Sequence, residues 1–275
     1  MSIEYLNLAL VQMTSVDSLA SNLHSFESIF TSLKPNQIDL LCFPENCLFQ
    51  RIREIDLIEK FDLSHSCIMW LGDWAKRLNT TIHLGSVPLM IQEKLFNSTV
   101  WISDKGVPQV GYQKIHLFDI ELEGQKPIKE SSFFTSGQVG RIIDFNGWRI
   151  GESICYDLRF SELYSQYAKE NVDLILVPAS FLVETGRAHW EILLRARAIE
   201  SQCYVAASAQ VGCHRSTRGA FERKTYGHSL IVNPWGVVEM DLQESTGVQI
   251  LQLRRDKIQK VRTQIPMKNH RKIGR

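Results

Sequence analysis

The chain lacks a surplus of charge of either sign: 31 lysines and arginines stand against 30 acidic residues, a formal net charge of +1. Such a balance gives no overall pull toward nucleic acid or an anionic bilayer, so neither is expected as a partner and a charged ligand must meet a local patch. No apolar run approaches the roughly eighteen residues of a membrane-spanning helix, and no membrane association is expected. The opening MSIEYLNLALVQMTS carries Glu4 and no small-residue cleavage site, unlike a secretory signal. Cys42, Cys47, Cys67, Cys155, Cys203 and Cys213 form no CxxC pair, and no HxxxH spacing occurs, so neither a disulfide framework nor a metal site is expected. A cytoplasmic location with reduced thiols follows. A glycine-rich phosphate loop, an internal repeat and a low-complexity linker are also missing.

What is present is an ordinary globular composition, 44% hydrophobic and 22% charged over 275 residues, which suits a single domain with a basic C-terminal segment from about residue 254. Residues 6–13 read as a buried strand, and Leu19, Leu23, Phe26, Phe30 and Leu33 recur at spacings of three and four, one apolar helix face. Residues 38–43 form a second strand stopped by Pro44. A helix over 68–78 then precedes a strand over 81–87, which makes two strand-helix-strand units. The middle of the chain turns back on itself. Residues 98–103 and 107–115 flank Asp104-Lys105-Gly106, and 141–145 and 148–155 flank Asn146-Gly147, the dipeptide favoured where a type I′ turn needs positive φ twice. An α/β fold with mixed sheets is therefore expected. Beyond it come a helix starting near Leu158, a strand over 173–177, a helix over 188–201, a strand over 204–211, a solvated loop or lid over 212–224 and a strand pair around Asn233-Pro234-Trp235-Gly236. The segment past Leu253 holds nine lysines and arginines against Asp256 alone and reads as a solvated or partner-docking tail.

Three polar residues share one kind of position. Glu45, Lys114 and Cys155 each fall at or near the end of an expected strand, and in open α/β sheets ligands gather outside the carboxyl ends of strands. Each has an ordinary reading alone: helix cap, exposed lysine, packed thiol. Together they suit attack on a carbonyl, because a carboxylate can take the proton of a thiol and an ammonium can hold the charge that develops on the attacked oxygen. A helix after Cys155 would favour a thiolate through its positive end.

FPEN around Glu45, YQKIHLFD around Lys114 and GESICYDLRFSELY around Cys155 resemble the three signature blocks of the nitrilase superfamily, the carbon-nitrogen hydrolases. The resemblance covers nearly the whole chain. It implies a four-layer α-β-β-α sandwich with two mixed β-sheets, a Glu-Lys-Cys triad at Glu45, Lys114 and Cys155, and no metal or organic cofactor. It also implies a homodimer, which light scattering at micromolar concentration tests. A second glutamate of the family, which positions lysine and substrate, falls on Glu130, and the backbone N–H of Tyr156 joins Lys114 in holding the oxyanion. DIELEGQKPIKES, TGRAHWEILLRARAIESQCYVAASAQ and YGHSLIVNPWG are similar to the branch that hydrolyses deaminated glutathione; the related ω-amidase branch, acting on 2-oxoglutaramate, is the alternative.

A small carboxylated amide needs cations beyond Lys114, and Arg187, read as part of a loop ETGRAH, is the candidate for substrate binding. Arg187 stands where the family more often has proline. Glu152 is a second departure, a carboxylate inside an apolar strand, expected to be paired or at a sheet edge because burying it alone is costly. His116, His189 and His228 offer a papain-like dyad as a rival, yet none has that context around Cys155; His116 suits a supporting hydrogen bond. An inactive scaffold that binds through its basic tail is the rival from another class, and the intact Glu45, Lys114, Cys155 and Glu130 argue against it.

Overall fold

A computed structural model describes residues 4–53, 57–121 and 127–272. Strand β1 (Tyr5–Gln12) leads into helix α1 (Leu19–Ser32), capped by the Ser18 hydroxyl, which accepts from the Ser21 N–H at 3.3 Å. After β2 (Leu40–Cys42), helix α2 (Ser66–Leu78) stops at Asn79, whose φ of 49° closes it in the left-handed region. Then β3 (Thr81–Ile91), β4 (Lys94–Ile102) and β5 (Pro108–Gln113) run antiparallel in turn. A short ribbon pairs β6 (Asp119–Ile120) with β7 (Ile128–Lys129). Strands β8 (Arg141–Phe145) and β9 (Trp148–Glu152) join through Asn146 and Gly147 at φ of 50° and 78°, the turn their sequence predicts. A 3-10 turn (Cys155–Arg159), α3 (Ser161–Lys169), β10 (Leu174–Leu176), α4 (Val183–Ser201) and β11 (Tyr204–Ala207) follow. The chain continues through the hairpin β12 (Val211–Arg215) and β13 (Glu222–Tyr226), then β14 (Leu230–Val232), β15 (Val238–Asp241), β16 (Gly247–Arg254) and α5 (Arg255–Gln264).

Two six-stranded mixed sheets result, in the orders β16-β1-β2-β3-β4-β5 and β15-β14-β11-β10-β9-β8. Strand alternation sorts each side chain to one of two cores. Leu8, Leu10 and Leu40 of the first sheet meet Ile150, Leu174 and Leu176 of the second between the sheets. Ala9, Leu41 and Leu84 on the other face of the first sheet pack against Phe26, Phe30, Leu71 and Ala75 of α1 and α2. Ile175 and Val205 likewise meet Leu163, Trp190 and Leu194 of α3 and α4. The layers are α-β-β-α, as expected.

The structure corrects four expectations. Helix α4 begins at Val183 rather than at 188, so the ETGRAH stretch is helical, and Gly186 is there because the added Cβ would lie 2.3 Å from Tyr226 Cγ. The supposed solvated loop 212–224 is largely the β12–β13 hairpin. The helix after Cys155 is a 3-10 turn, with α3 starting only at Ser161. The basic tail is in good part folded onto its own chain: Arg255 Nη1 meets Asp173 Oδ2 at 2.9 Å, and Arg262 Nη1 lies 3.5 Å from Asp173 Oδ1. The paired alternative holds for Glu152. It sits in the inner strand β9 between the sheets, where Oε1 accepts from Thr99 Oγ1 at 2.7 Å and Trp101 Nε1 at 2.9 Å and meets His83 Nε2 at 3.1 Å. Among the described residues no helix is long and apolar enough to cross a membrane.

The hairpin is fixed by a buried histidine. His214 Nδ1 donates to the Ser15 carbonyl at 2.6 Å and Nε2 faces Thr225 Oγ1 at 2.7 Å, and burial pushes its pKa down to about 4. Unfolded, it takes a proton near pH 6.5. The unfolded chain thus binds more protons between pH 6.5 and 4, and stability falls as pH drops through that window, by about 3 kcal/mol in full. Denaturant midpoints at pH 7 and 5 for wild type and His214→Gln check this: the wild type should lose more, and equal losses would refute it.

Candidate active site

Glu45 lies beyond the end of β2, where Pro44 stops the strand, and its backbone carbonyl accepts from Gln210 Nε2 at 2.9 Å. Lys114 follows β5, held by its own N–H to the Asn97 carbonyl (2.9 Å) and by the Gly137 N–H on its carbonyl (2.8 Å). Glu130 opens a 3-10 turn after β7. Lys114 Nζ donates to Glu45 Oε1 and to Glu130 Oε2, both at 2.9 Å, with the lysine only 2% exposed. Burial opposes the ammonium, but the carboxylates of Glu130 and Glu45 outweigh it and hold the Lys114 pKa well above the ordinary lysine range. An isolated buried cation would be untenable; a bridged one is stable.

Asn97, which the sequence reading missed, joins the two acids from β4. Its Nδ2 donates to Glu130 Oε1 at 2.8 Å and to Glu45 Oε1 at 3.1 Å. The available signal was an asparagine in an apolar strand, KLFNSTVWI, opposite the strand that delivers the lysine.

Cys155 takes up a left-handed backbone (φ 49°), which costs a non-glycine residue on the order of 1–3 kcal/mol and is kept only where surroundings enforce it. Here they do. The Cys155 N–H donates to the Pro178 carbonyl at 2.9 Å. Asp157, fully buried, accepts from the Ile154 N–H at 2.9 Å, the Tyr112 hydroxyl at 2.9 Å and the His116 N–H at 3.0 Å, and faces His116 Nδ1 at 2.7 Å. It therefore locks the turn bearing Cys155 to the end of the strand bearing Lys114. His116 has the supporting role expected of it.

Burial pushes the Cys155 thiol well above its ordinary pKa, and the nearby Glu45 pushes it further; Lys114 pulls the other way without prevailing. That direction favours a protonated Cys155 thiol in the resting site. The helix end expected to favour a thiolate lies six residues on, at Ser161.

One cavity is lined by Glu45, Lys114, Glu130, Cys155 and Tyr156, with Phe49, Phe118, Phe134 and Phe181 as apolar walls. Arg51, Arg159 and Arg223 also line it. Arg187 does not; it lies on the exposed side of α4. No histidine lines the cavity among the described residues, which leaves a papain-like dyad without a partner. No group of three or more His, Cys, Asp or Glu side chains among them is arranged to hold a metal ion.

The carbon-nitrogen hydrolase family model matches residues 7–263, and the chain belongs to that family, the nitrilase superfamily. It is a hydrolase acting on amides. Two similar curated proteins are named deaminated glutathione amidase: one from Synechocystis, 36% identical over 96% of this chain and 97% of its own length, and one from Dictyostelium discoideum, 34% identical over 97% and 94%. Among solved structures, the NitFhit protein of C. elegans matches with a TM-score of 0.87 at 30% identity, covering 99% of this chain and 66% of that one. A CN-hydrolase superfamily protein of Xanthomonas campestris with an arsenic adduct in its active site matches with 0.84 at 27% identity, over 98% of both chains. The 122–126 stretch, which includes part of the GQKP similarity to the deaminated-glutathione branch, lies outside the described residues.

Proposed function

We propose that this chain hydrolyses the amide bond of deaminated glutathione to 2-oxoglutarate and cysteinylglycine, a metabolite-repair reaction, with Cys155 as nucleophile. The observation that carries the mechanism is the cavity that Cys155 shares with Glu45, Lys114 and Glu130, in which Lys114 bridges the two glutamates. Cys155 Sγ attacks the amide carbon as Glu45 takes its proton, and Lys114 Nζ with the Tyr156 N–H holds the oxygen as it gains charge. The Tyr156 N–H sits in the first turn of the 3-10 segment, where backbone donors have no partner within the helix. The C–N bond breaks as Glu45 gives that proton to the leaving nitrogen. Water then adds to the thioester, again losing a proton to Glu45, and the C–S bond breaks with the proton returned to sulfur. Glu130 and Asn97 keep Lys114 and Glu45 aligned throughout.

Arginines in the cavity support a substrate with carboxylates, and the names of the full-length relatives support which one. Arg159 stands at the cavity beside the nucleophile turn, its guanidinium over the rings of Tyr156 (5.8 Å) and Phe181 (5.4 Å), and takes the place first given to Arg187. The test compares purified wild type and Cys155→Ala on deaminated glutathione and on 2-oxoglutaramate, with and without EDTA. Preference for the first, loss in the variant and indifference to chelator are expected. Preference for the second would assign the chain to ω-amidase chemistry, and activity on neither would leave the nucleophile with another amide.

A further inference from the structure

The three arginines of the cavity are not equivalent. Arg51 comes from the segment after Glu45 and stacks over Phe133 at 3.8 Å. Arg159 belongs to the turn that bears Cys155, and its Nη1 lies 3.2 Å from His189 Nδ1. Arg223 arrives from a separate element, the β12–β13 hairpin, at the position opposite His214. Along β13 its neighbours Glu222 and Lys224 are exposed, whereas Arg223 is half-buried and lies on the same side as buried Thr225. The adjacent bridge between Thr225 and Leu182 and the bond from the Tyr226 N–H to the Phe181 carbonyl (2.9 Å) fix that strand against the wall of the cavity.

Arg223 has no carboxylate partner among the described residues, and its Nε is buried without a hydrogen bond. A buried guanidinium edge left unpaired is costly, and such groups call for an explanation. The neighbouring acids offer none: Glu45 and Glu130 are both engaged by Lys114, and Glu222 turns outward to Cys213. A fork of donors without an acceptor, facing a cavity that performs amide hydrolysis, is matched by a carboxylate on the ligand.

We propose that Arg223 is a second carboxylate anchor, which takes the carboxylate on the leaving-amine half of the substrate and makes the β12–β13 hairpin the element that selects a two-carboxylate amide. This rests on the proposed function. Deaminated glutathione has a carboxylate on the acyl half and another at the glycine end of the leaving half, the first for Arg159 and the second for Arg223. A small ω-amide such as 2-oxoglutaramate releases ammonia and has nothing to offer Arg223. The polar hairpin, read from sequence as a solvated loop or lid, thereby becomes a specificity element, and His214 beneath it keeps Arg223 in register.

The experiment measures kcat/KM of wild type, Arg223→Met and Arg223→Lys on deaminated glutathione, on its glycine methyl ester and on 2-oxoglutaramate. Wild type should prefer the free acid to the ester on the order of tenfold to a hundredfold, the range for a charge-assisted pair. In Arg223→Met that preference should collapse through KM, and the loss on deaminated glutathione should exceed the loss on 2-oxoglutaramate about tenfold or more. Arg223→Lys should recover part of it, since an ammonium keeps the charge without the fork. Losses of equal size on all three substrates, or an acid-to-ester preference that survives in Arg223→Met, would overturn the anchor while leaving the amidase reading intact. A wild type inert toward deaminated glutathione and its ester would overturn both.

Discussion

Glutamine in place of Glu45 should lower kcat on the order of 10² to 10⁴-fold, the range for loss of a positioned general base and acid, with a folded protein remaining. Glutamine keeps the volume and an oxygen that can accept from Lys114 Nζ and Asn97 Nδ2, so the buried bridge loses charge but not shape. It cannot take the Cys155 proton, pass one to the leaving nitrogen, or accept one from water. The same variant should make the thiol easier to ionise. Burial would still hold the Cys155 pKa up, but the Glu45 carboxylate that raises it further is gone, and Lys114, which lowers it, is left as the nearer charge. The midpoint of iodoacetamide labelling at Cys155 should therefore move to lower pH while turnover collapses. Parallel loss of labelling and turnover would mean that Glu45 acts only by holding the site together, and turnover within tenfold of wild type would remove it from the chemistry.

That opposition separates the mechanism from one based on a standing thiolate. A low-pKa cysteine gains from positive neighbours and a helix end. Cys155 instead sits buried in the cavity with Glu45, and the proposed mechanism couples attack and proton loss through that residue. The left-handed turn at Cys155 and the Asp157 lock serve that coupling, because a shift of about 1 Å in either partner can cost on the order of a hundredfold.

Much of this site was legible because its residues lie at strand ends marked by local signals. Pro44 ends the strand before Glu45, and Asn146-Gly147 sets the hairpin that delivers β9 to Cys155. Other parts are written in contacts rather than in local sequence. The turn between β3 and β4 uses Gln92 and Glu93 at φ of 47° and 66°, residues that carry no turn signal, so that hairpin went unread. Strand β16 went unread, since its pairing partner β1 lies at the other end of the chain. Thr185-Gly186 suggested a loop where Gly186 serves close packing of α4 on Tyr226. Arg223 was one of several basic residues in a loop, and only the register of the hairpin distinguishes it from its exposed neighbours.

Methionine in place of Lys114 should be the most damaging change to fold and function together. The side chain is 2% exposed and its ammonium is shared by Glu45 and Glu130, which Asn97 also ties to each other. Removing the cation leaves two carboxylates facing one another in a buried site, and breaking a buried ion pair from one side costs about 3–5 kcal/mol. Catalysis loses the charge that meets the oxyanion, on the order of 10² to 10³-fold by that route alone, and Glu45 loses the partner that orients it. The pH dependence follows from the like charges. One carboxylate of the pair should hold a proton up to a higher pH in the folded variant than in its unfolded chain, so the folded state binds more protons in that window. Stability of Lys114→Met should then rise as pH falls from 8 toward 5, relative to wild type, in which Lys114 keeps its charge because its pKa is raised well above the usual range. Urea midpoints across that range, set beside kcat, check both halves. A variant as stable as wild type at pH 8 would show that the two carboxylates do not depend on the ammonium, and one retaining a tenth of wild-type turnover would take the oxyanion away from Lys114.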